Sequence, residues 1–191
     1  TYKLIYGPDE NNDGTPDKEE TKYTITYEAG VAASASGLTG MPAGRSDLVA
    51  GQTVTVDGAI PTATGYQFIG WSVNVSSVPT TAGASFTMPS QNVVFTAQWR
   101  VGITFTSDHG FEEGSSPYGP IYLTAGEILT GIPTPRDTDD DNVVFTGWSP
   151  AIEEGMTVVP NGATTYEAQY VADTNNDGRP DGTETTYTIT Y

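Results

Sequence analysis

Hydrophobic and polar residues alternate along much of the chain, in short runs that end at Gly, Pro, Asn or Asp. A period of two is the pattern of a strand with one buried face, and those four residue types favour the turns between strands. The alternation predicts strands at residues 23–27, 53–56, 66–73, 93–99, 103–105, 143–148 and 164–170. Residues 32–40 and 119–125 are ambiguous, and their glycines would keep any helix there short. The chain is therefore predicted to be mainly β.

A long internal repeat relates the two ends of the sequence. Residues 1–27 and 165–191 agree at 17 of 27 positions, with a constant offset of 164. Matches at a fixed period indicate a tandem array. Residues 1–6 are accordingly predicted to be the last strand of a preceding repeat, and residues 185–191 the first strand of a following one. We expect these ends to pair head to tail with other copies of the chain, because unpaired strand edges seek partners.

A weaker repeat lies within that period. Residues 65–71 (GYQFIGW) are similar to 142–148 (NVVFTGW), and residues 94–99 are similar to 165–170. The offsets between matching segments differ because loops change length more readily than strands do. The predicted segments are module 1 (residues 22–100), module 2 (residues 101–172) and two linkers (residues 7–21 and 173–184).

Each module carries an ordered set of core residues. An F-x-G-W motif is followed by F-x-M-P and then by a closing V-x-F-x-A-Q-W. In module 1 the residues are Phe68, Gly70, Trp71, Phe86, Met88, Pro89, Val93, Phe95, Ala97, Gln98 and Trp99. Module 2 departs from the order between Met156 and Pro160, and otherwise keeps Phe145, Gly147, Trp148, Met156, Tyr166, Ala168, Gln169 and Tyr170.

This order of residues resembles the Listeria/Bacteroides repeat, the B-repeat type module of internalin B and of many bacterial surface proteins. The resemblance implies two tandem, small β-grasp-like modules with little or no helix. It also implies that the modules are built into an elongated protein of the bacterial surface.

Two twelve-residue segments in the linkers fit the calcium-loop template position for position. The template has oxygen side chains at positions 1, 3, 5 and 9, Gly at 6, a backbone carbonyl at 7 and a closing Glu at 12. The ligands predicted in the first segment are Asp9, Asn11, Asp13, the carbonyl of Thr15, Asp17 and Glu20. Those predicted in the second are Asp173, Asn175, Asp177, the carbonyl of Arg179, Asp181 and Glu184. We expect each segment to bind one Ca²⁺ ion.

The flanks of these loops alternate as strands, so the loops would join β-modules, whereas an EF-hand loop joins helices. Their Gly-x-Pro-Asp core resembles the calcium loops of thrombospondin type 3 repeats and related bacterial linkers. The alternative is a solvated acidic turn, since Asn, Asp, Gly and Pro also favour turns. Without metal, the clustered carboxylates would repel one another and leave the linker mobile, whereas bound calcium would stiffen it. The predicted fold is thus two modules that calcium-loop linkers join and flank.

The charge balance excludes several classes of partner. Seven Lys and Arg residues stand against 24 Asp and Glu residues, which gives a formal net charge of −17. Without a basic surface to neutralise phosphates, nucleic acid and anionic membranes are not expected to bind. The apolar runs are too short for a membrane-spanning helix, and the absence of Cys excludes disulfides and thiolate metal sites.

The sequence offers little for catalysis. His109 is the only histidine and is predicted to lie in a turn beside Gly110, so no His-rich metal site can form. The glutamate pairs 112–113 and 153–154 do not suit a glycosidase, whose acid and base must face each other across a sugar. The acidic run at residues 137–141 fits a solvated hairpin loop better than a weak cation site. We therefore predict no enzyme activity.

The function predicted first is a non-catalytic, calcium-stiffened tandem-repeat segment, a stalk or adhesin spacer of a secreted or cell-surface bacterial protein. Its expected partners are neighbouring repeats of the same chain. The alternative is a module that binds a glycan or a host protein through exposed aromatics or loops. Trp71, Trp99 and Trp148 could stack on sugars, but their places in alternating strands favour packing in the core.

Overall fold

The computed structural model describes residues 7–136, 142–153, 155, 163–183 and 187–189. The strands in this part of the chain are β1 (Lys22–Glu28), β2 (Arg45–Val49), β3 (Thr53–Thr55), β4 (Tyr66–Val73), β5 (Ser85–Thr87), β6 (Val93–Thr106), β7 (Tyr118–Leu123), β8 (Val143–Ser149) and β9 (Thr164–Ala172). The helical elements among the described residues are single 3-10 turns at Asp17–Glu19, Gly30–Ala32 and Asp181–Thr183. The mainly β fold with little helix is confirmed, whereas the β-grasp-like arrangement stays a prediction.

The chain divides into two compact units, Thr1–Arg100 and Val101–Tyr191. Strand β6 crosses this division, so its first part belongs to the first unit and its last part to the second. Every second residue of β6 from Val93 to Phe105 is buried. The predicted break between strands 93–99 and 103–105 is therefore wrong. The buried apolar residues of both runs occupy odd-numbered positions, so they point to the same face of one strand. A single continuous strand therefore keeps all of them buried.

The sheet of the first unit places β1 beside both β2 and β6. Strand β1 is antiparallel to β2, with Tyr23 opposite Leu48. It is parallel to β6, with Ile25 opposite Val93. Strand β4 also pairs with β6, so the strand order is β2-β1-β6-β4. Strands β3 and β5 form a separate antiparallel pair.

The core of the first unit is built around the parallel strands. Phe95 on β6 is fully buried and stacks on Tyr27 of β1, with 5.0 Å between ring centroids. Trp71 of β4 meets Tyr27 edge to face at 5.1 Å. The aromatic residues of the F-x-G-W and V-x-F-x-A-Q-W motifs therefore fill one core, as the alternation predicted.

The second unit repeats the same strand order with different strands. The last part of β6 is antiparallel to β7, with Val101 opposite Leu123. It is parallel to β9, and Phe105 lies opposite Tyr166. Strand β9 is antiparallel to β8, which gives the order β7-β6-β9-β8. Its core packs Phe105 against the ring of Trp148 at 5.1 Å.

Three short strands have no counterpart in the prediction. Strand β7 overlaps residues 119–125, which are ambiguous in sequence, and it forms because its backbone pairs with β6. Strand β2 lacks clean alternation and contains Asp47 in the left-handed region, with φ of 60°. Strand β5 spans only three residues. In the other ambiguous segment, residues 32–40, only Ala32 belongs to a helical turn.

The predicted terminal strands lie mostly outside the described residues. Residues 1–6 and most of 185–191 are not among them, and residues 187–189 do not form a strand. Tyr187 is 87% exposed and Ile189 is 76% exposed. Head-to-tail pairing through these ends stays a prediction. In the described ranges, no helix is long and apolar enough to cross a membrane.

The substitution Phe95→Ala tests whether this core holds the first unit together. Phe95 is fully buried, so we expect the free energy of unfolding to fall by about 3–5 kcal/mol. Urea denaturation followed by tryptophan fluorescence measures this loss. Arg100→Ala, at an exposed position of the same strand, is the control and should change stability by less than about 0.5 kcal/mol. A loss below about 1 kcal/mol for Phe95→Ala would contradict the assignment of the core.

Candidate metal centre

The first predicted calcium loop folds around the carboxylate of Asp9. Its Oδ1 accepts a hydrogen bond from the backbone N–H of Asp13 at 3.1 Å, and its Oδ2 accepts one from the N–H of Gly14 at 3.0 Å. The backbone turns through the left-handed region at Asn12, with φ of 57°, and at Gly14, with φ of 90°. A glycine at position 6 of the template suits this turn because it has no Cβ to strain.

The remaining side chains of this loop are held by the same backbone. The Oδ1 of Asn11 accepts from the N–H of Asp13 at 3.1 Å, and the Oδ1 of Asp13 accepts from the N–H of Thr15 at 2.8 Å. The Oδ1 of Asp17 accepts from the N–H of Glu10 at 3.0 Å. The predicted ligands therefore share one closed loop.

The closing residue of the template returns to the start of the loop. A 3-10 turn at Asp17–Glu19 precedes Glu20, whose Oε1 accepts a hydrogen bond from the Nδ2 of Asn11 at 3.0 Å. The other oxygen, Oε2, is buried and has no hydrogen-bond partner, and it is the only such side-chain atom found in the described part of the chain. A carboxylate oxygen removed from water without a donor costs free energy. A bound cation would remove that cost.

The second predicted loop repeats the first at the offset of 164 residues. Asp173 accepts from the N–H of Asp177 at 3.2 Å and from the N–H of Gly178 at 2.8 Å. Asn175 accepts from the N–H of Asp177 at 3.1 Å. The left-handed residues are again at matching positions, with φ of 54° at Asn176 and 81° at Gly178. The two segments thus adopt one backbone conformation over the residues that the structure describes in both.

The second loop is anchored to its own unit. Asp173 is only 3% exposed, and its backbone N–H donates to the carbonyl of Asn142 at 2.8 Å. Asp181 accepts from the hydroxyl of Thr174 at 2.6 Å and from its N–H at 2.8 Å. These two hydrogen bonds, the hydroxyl first, hold the pKa of the Asp181 carboxyl below its ordinary value. The carboxylate form is therefore the one that this loop favours.

The loops bring the predicted ligands together without forming a tight cluster of acids. Among the described residues, no three or more His, Cys, Asp or Glu side chains lie in an arrangement that could hold a metal ion. The Asp oxygens accept backbone hydrogen bonds, and the template also uses Asn and carbonyl oxygens. Glu184 and the acidic run at residues 137–141 lie outside the described residues. The two calcium sites stay a prediction.

Two hydrogen bonds between the first loop and the turn at residues 50–52 were not predicted. The Nδ2 of Asn11 also donates to the carbonyl of Ala50 at 2.7 Å, and the Nε2 of Gln52 donates to the Oε2 of Glu10. Residues 50–52 (AGQ) are similar in sequence to residues 125–127 (AGE), but no local signal indicates that this turn contacts a loop 39 residues away.

The aromatic residues considered for sugar binding lie in the cores. Trp71 is 8% exposed and Trp99 is 6% exposed, and the Nε1 of Trp99 donates to the carbonyl of Ala29 at 2.8 Å. Trp148 is partly buried against Phe105. The prediction that these tryptophans pack in the core is confirmed.

The residues considered for catalysis have structural contacts. His109 lies in a turn, and its ring meets Tyr170 edge to face at 4.5 Å. Glu113 accepts from the N–H of Thr134 at 3.0 Å. Its own backbone N–H, and then that of Thr134, hold the pKa of the Glu113 carboxyl below its ordinary value. Glu154 lies outside the described residues.

A family model matches most of the module of the first unit. Residues 23–102 match the family model of the divergent InlB B-repeat domain. The resemblance drawn from the sequence motifs is confirmed for these residues, which form a repeat module of a kind found in bacterial surface proteins. No curated protein and no solved structure matches the chain.

The separation of cores from loops predicts that metal removal leaves the sheets intact. Phe95 and Phe105 are fully buried in the two cores, and neither lies in a loop segment. We expect EDTA to leave the β-sheet circular dichroism signal within about a tenth of its value, because hydrophobic burial supplies most of the stability. Loss of that signal on chelation, with recovery on adding calcium, would show that the loops are part of the fold.

Proposed function

We propose that the chain is a non-catalytic, calcium-stiffened tandem-repeat segment of a secreted or cell-surface bacterial protein, where it serves as a stalk or adhesin spacer. The surface role rests on the B-repeat match of residues 23–102. The calcium role rests on one observation above the others, the buried and unpaired Oε2 of Glu20 in a loop that fits the calcium template.

The donor set of each loop suits Ca²⁺. This ion takes six to eight oxygen ligands at about 2.3–2.6 Å and tolerates irregular geometry. A carboxylate offers about four lone-pair sites, so an Asp oxygen that accepts one backbone N–H keeps a second site for a cation. The proposed ligands of the first ion are Asp9, Asn11, Asp13, the carbonyl of Thr15, Asp17 and Glu20. Those of the second are Asp173, Asn175, Asp177, the carbonyl of Arg179, Asp181 and Glu184.

The electrostatics of the chain support a cation in each loop. The net charge is −17, and four carboxylates belong to each proposed ligand set. Like charges repel one another when they are brought close together, and a divalent ion among them would replace that repulsion with attraction. A loop whose ligands surround one ion has fewer conformations, and this is the proposed source of stiffness.

The alternative function, binding of a glycan or host protein, needs exposed aromatics or specialised loops. Trp71 and Trp99 are buried, which favours the spacer and leaves the loops and exposed tyrosines such as Tyr122 as the surface for such a ligand. The proposed partners of a spacer are neighbouring repeats of the same chain. The B-repeat family also favours a role without catalysis.

Isothermal titration calorimetry tests the two sites directly. We expect a metal-free chain titrated to millimolar calcium to bind two ions. Asp13→Asn should weaken the first site about tenfold, because it removes a ligand charge and keeps the acceptor for Thr15. Asp177→Asn should weaken the second site in the same way, since it keeps the acceptor for Arg179.

Glu167→Gln is the control for these variants, because Glu167 is an exposed carboxylate on β9, outside both loops. It should leave both affinities unchanged. Fewer than two sites on the intact chain, or equal weakening by all three substitutions, would contradict the proposal.

Glu20→Gln gives a test in which the sign of the effect depends on calcium. In EDTA the variant should match or exceed the thermal midpoint of the wild-type chain, because a neutral amide is less costly to bury than an unpaired carboxylate oxygen. At millimolar calcium it should melt below the wild type, because it has lost a ligand. Glu19→Gln, at an exposed neighbour, should show neither effect. A shift of the same sign in both conditions would count against a cation at Glu20.

A further inference from the structure

The turn at residues 50–52, between β2 and β3, contacts the first calcium loop through three consecutive residues. The carbonyl of Ala50 accepts from the Nδ2 of Asn11 at 2.7 Å. A Cβ placed on Gly51 would lie 3.3 Å from the Cβ of Asn11. The Nε2 of Gln52 donates to the Oε2 of Glu10. The loop therefore lies directly over this turn.

The second unit contains the same turn at residues 125–127. Gly51 has φ of 86° and Gly126 has φ of 88°, so the two backbones bend alike. A Cβ on Gly126 would meet no described residue within 4 Å, in contrast to the close approach at Gly51. The backbone of the turn is thus shared, and among the described residues only the turn at residues 50–52 is covered in this way.

One residue distinguishes the chemistry of the two turns. The Oε1 of Gln52 accepts from the N–H of Val49 at 3.2 Å, and the Oε2 of Glu127 accepts from the N–H of Thr124 at 2.7 Å. Both side chains therefore close their turn as acceptors. Gln52 has an amide N–H₂ left to donate to Glu10, whereas a glutamate has only acceptor oxygens and a negative charge.

We infer that the turn at residues 50–52 is a docking surface for the first calcium loop, and that Gln52 makes this surface specific for that loop. A glutamate at this position would repel the Glu10 carboxylate and would offer that carboxylate no hydrogen-bond donor. Like-charge repulsion and unpaired polar groups are the means by which a surface rejects a wrong partner. The turn at residues 125–127 carries that glutamate and so excludes an acidic loop.

Docking connects the proposed cation site to the module. The Nδ2 of Asn11 donates both to Ala50 and to the Oε1 of Glu20, and its Oδ1 is a proposed calcium ligand. A cation that fixes the Asn11 side chain would therefore fix the loop on the turn. This coupling rests on the proposed function, whereas the docking contacts do not need the metal.

Exchange of the distinguishing residue tests the docking surface in EDTA. In the wild-type chain we expect nuclear Overhauser contacts between the Asn11 side-chain amide and Gly51. Gln52→Glu should weaken them, because the loss of one hydrogen bond of about 1 kcal/mol lowers the ratio of docked to undocked loop about fivefold. The amide of Val49 should stay protected, because glutamate keeps its acceptor. Glu127→Gln is the reciprocal control and should leave the Asn11 contacts unchanged.

A second matched pair separates docking from backbone strain. Gly51→Ala and Gly126→Ala introduce a Cβ at nearly the same φ, so both should cost a similar amount of stability. Only Gly51→Ala places that Cβ against Asn11, at 3.3 Å, so only this variant should push the Asn11 side chain away and weaken its contacts with the turn. Equal Asn11 contacts in the two variants would overturn the docking inference.

Calcium titration of the Gly51→Ala chain distinguishes failure of this inference from failure of the proposed function. We expect its first site to weaken about threefold or more and its second site to keep its affinity, without any change of charge. If calcium binds but the Asn11 contacts persist in Gln52→Glu, the docking inference is wrong and the calcium function stands. If no calcium binds and Gln52→Glu still releases the loop, docking stands and the calcium function is wrong.

Discussion

In both units the first and last strands of the module run parallel and side by side, and this pairing positions the other elements. Tyr27 of β1 stacks on Phe95 of β6 at 5.0 Å in the first unit, and Phe105 of β6 stacks on Tyr166 of β9 at 5.7 Å in the second. Parallel neighbours require a long crossover between them. The intervening strands therefore wrap around this pair and complete the core.

The same pairing fixes where the candidate metal loops begin and end. The first loop closes at Glu20, and β1 starts at Lys22; the second loop starts at Asp173, directly after β9 ends at Ala172. Each loop is thus attached to one strand of the parallel pair of its unit. The burial of Asp173 and the contact of Asn11 with Ala50 extend this attachment from the backbone to side chains.

Trp99 of the first module and Tyr170 of the second occupy matching positions, and each makes a hydrogen bond near the end of its module. Trp99 donates its indole N–H to the carbonyl of Ala29, just after β1, and Tyr170 bonds its hydroxyl to that of Ser107, just after β6, at 2.7 Å. Each contact ties the end of the last strand to the end of the first. Buried polar atoms need a partner whichever aromatic carries them. The two modules thus make an equivalent contact with different residues.

The sequence by itself determined the alternation of the strands, the strand positions of the core tryptophans and the backbone of both loops, because these depend on neighbours within a few residues. Asn12 and Gly14 turn their loop as the template requires. Only the tertiary structure decided that β7 is a strand, that β6 is continuous, and that Gln52 meets Glu10. These features depend on backbone partners and charges that lie far apart in the chain. The alternation of apolar and polar residues indicates only which face of a strand is buried, so it cannot identify those partners.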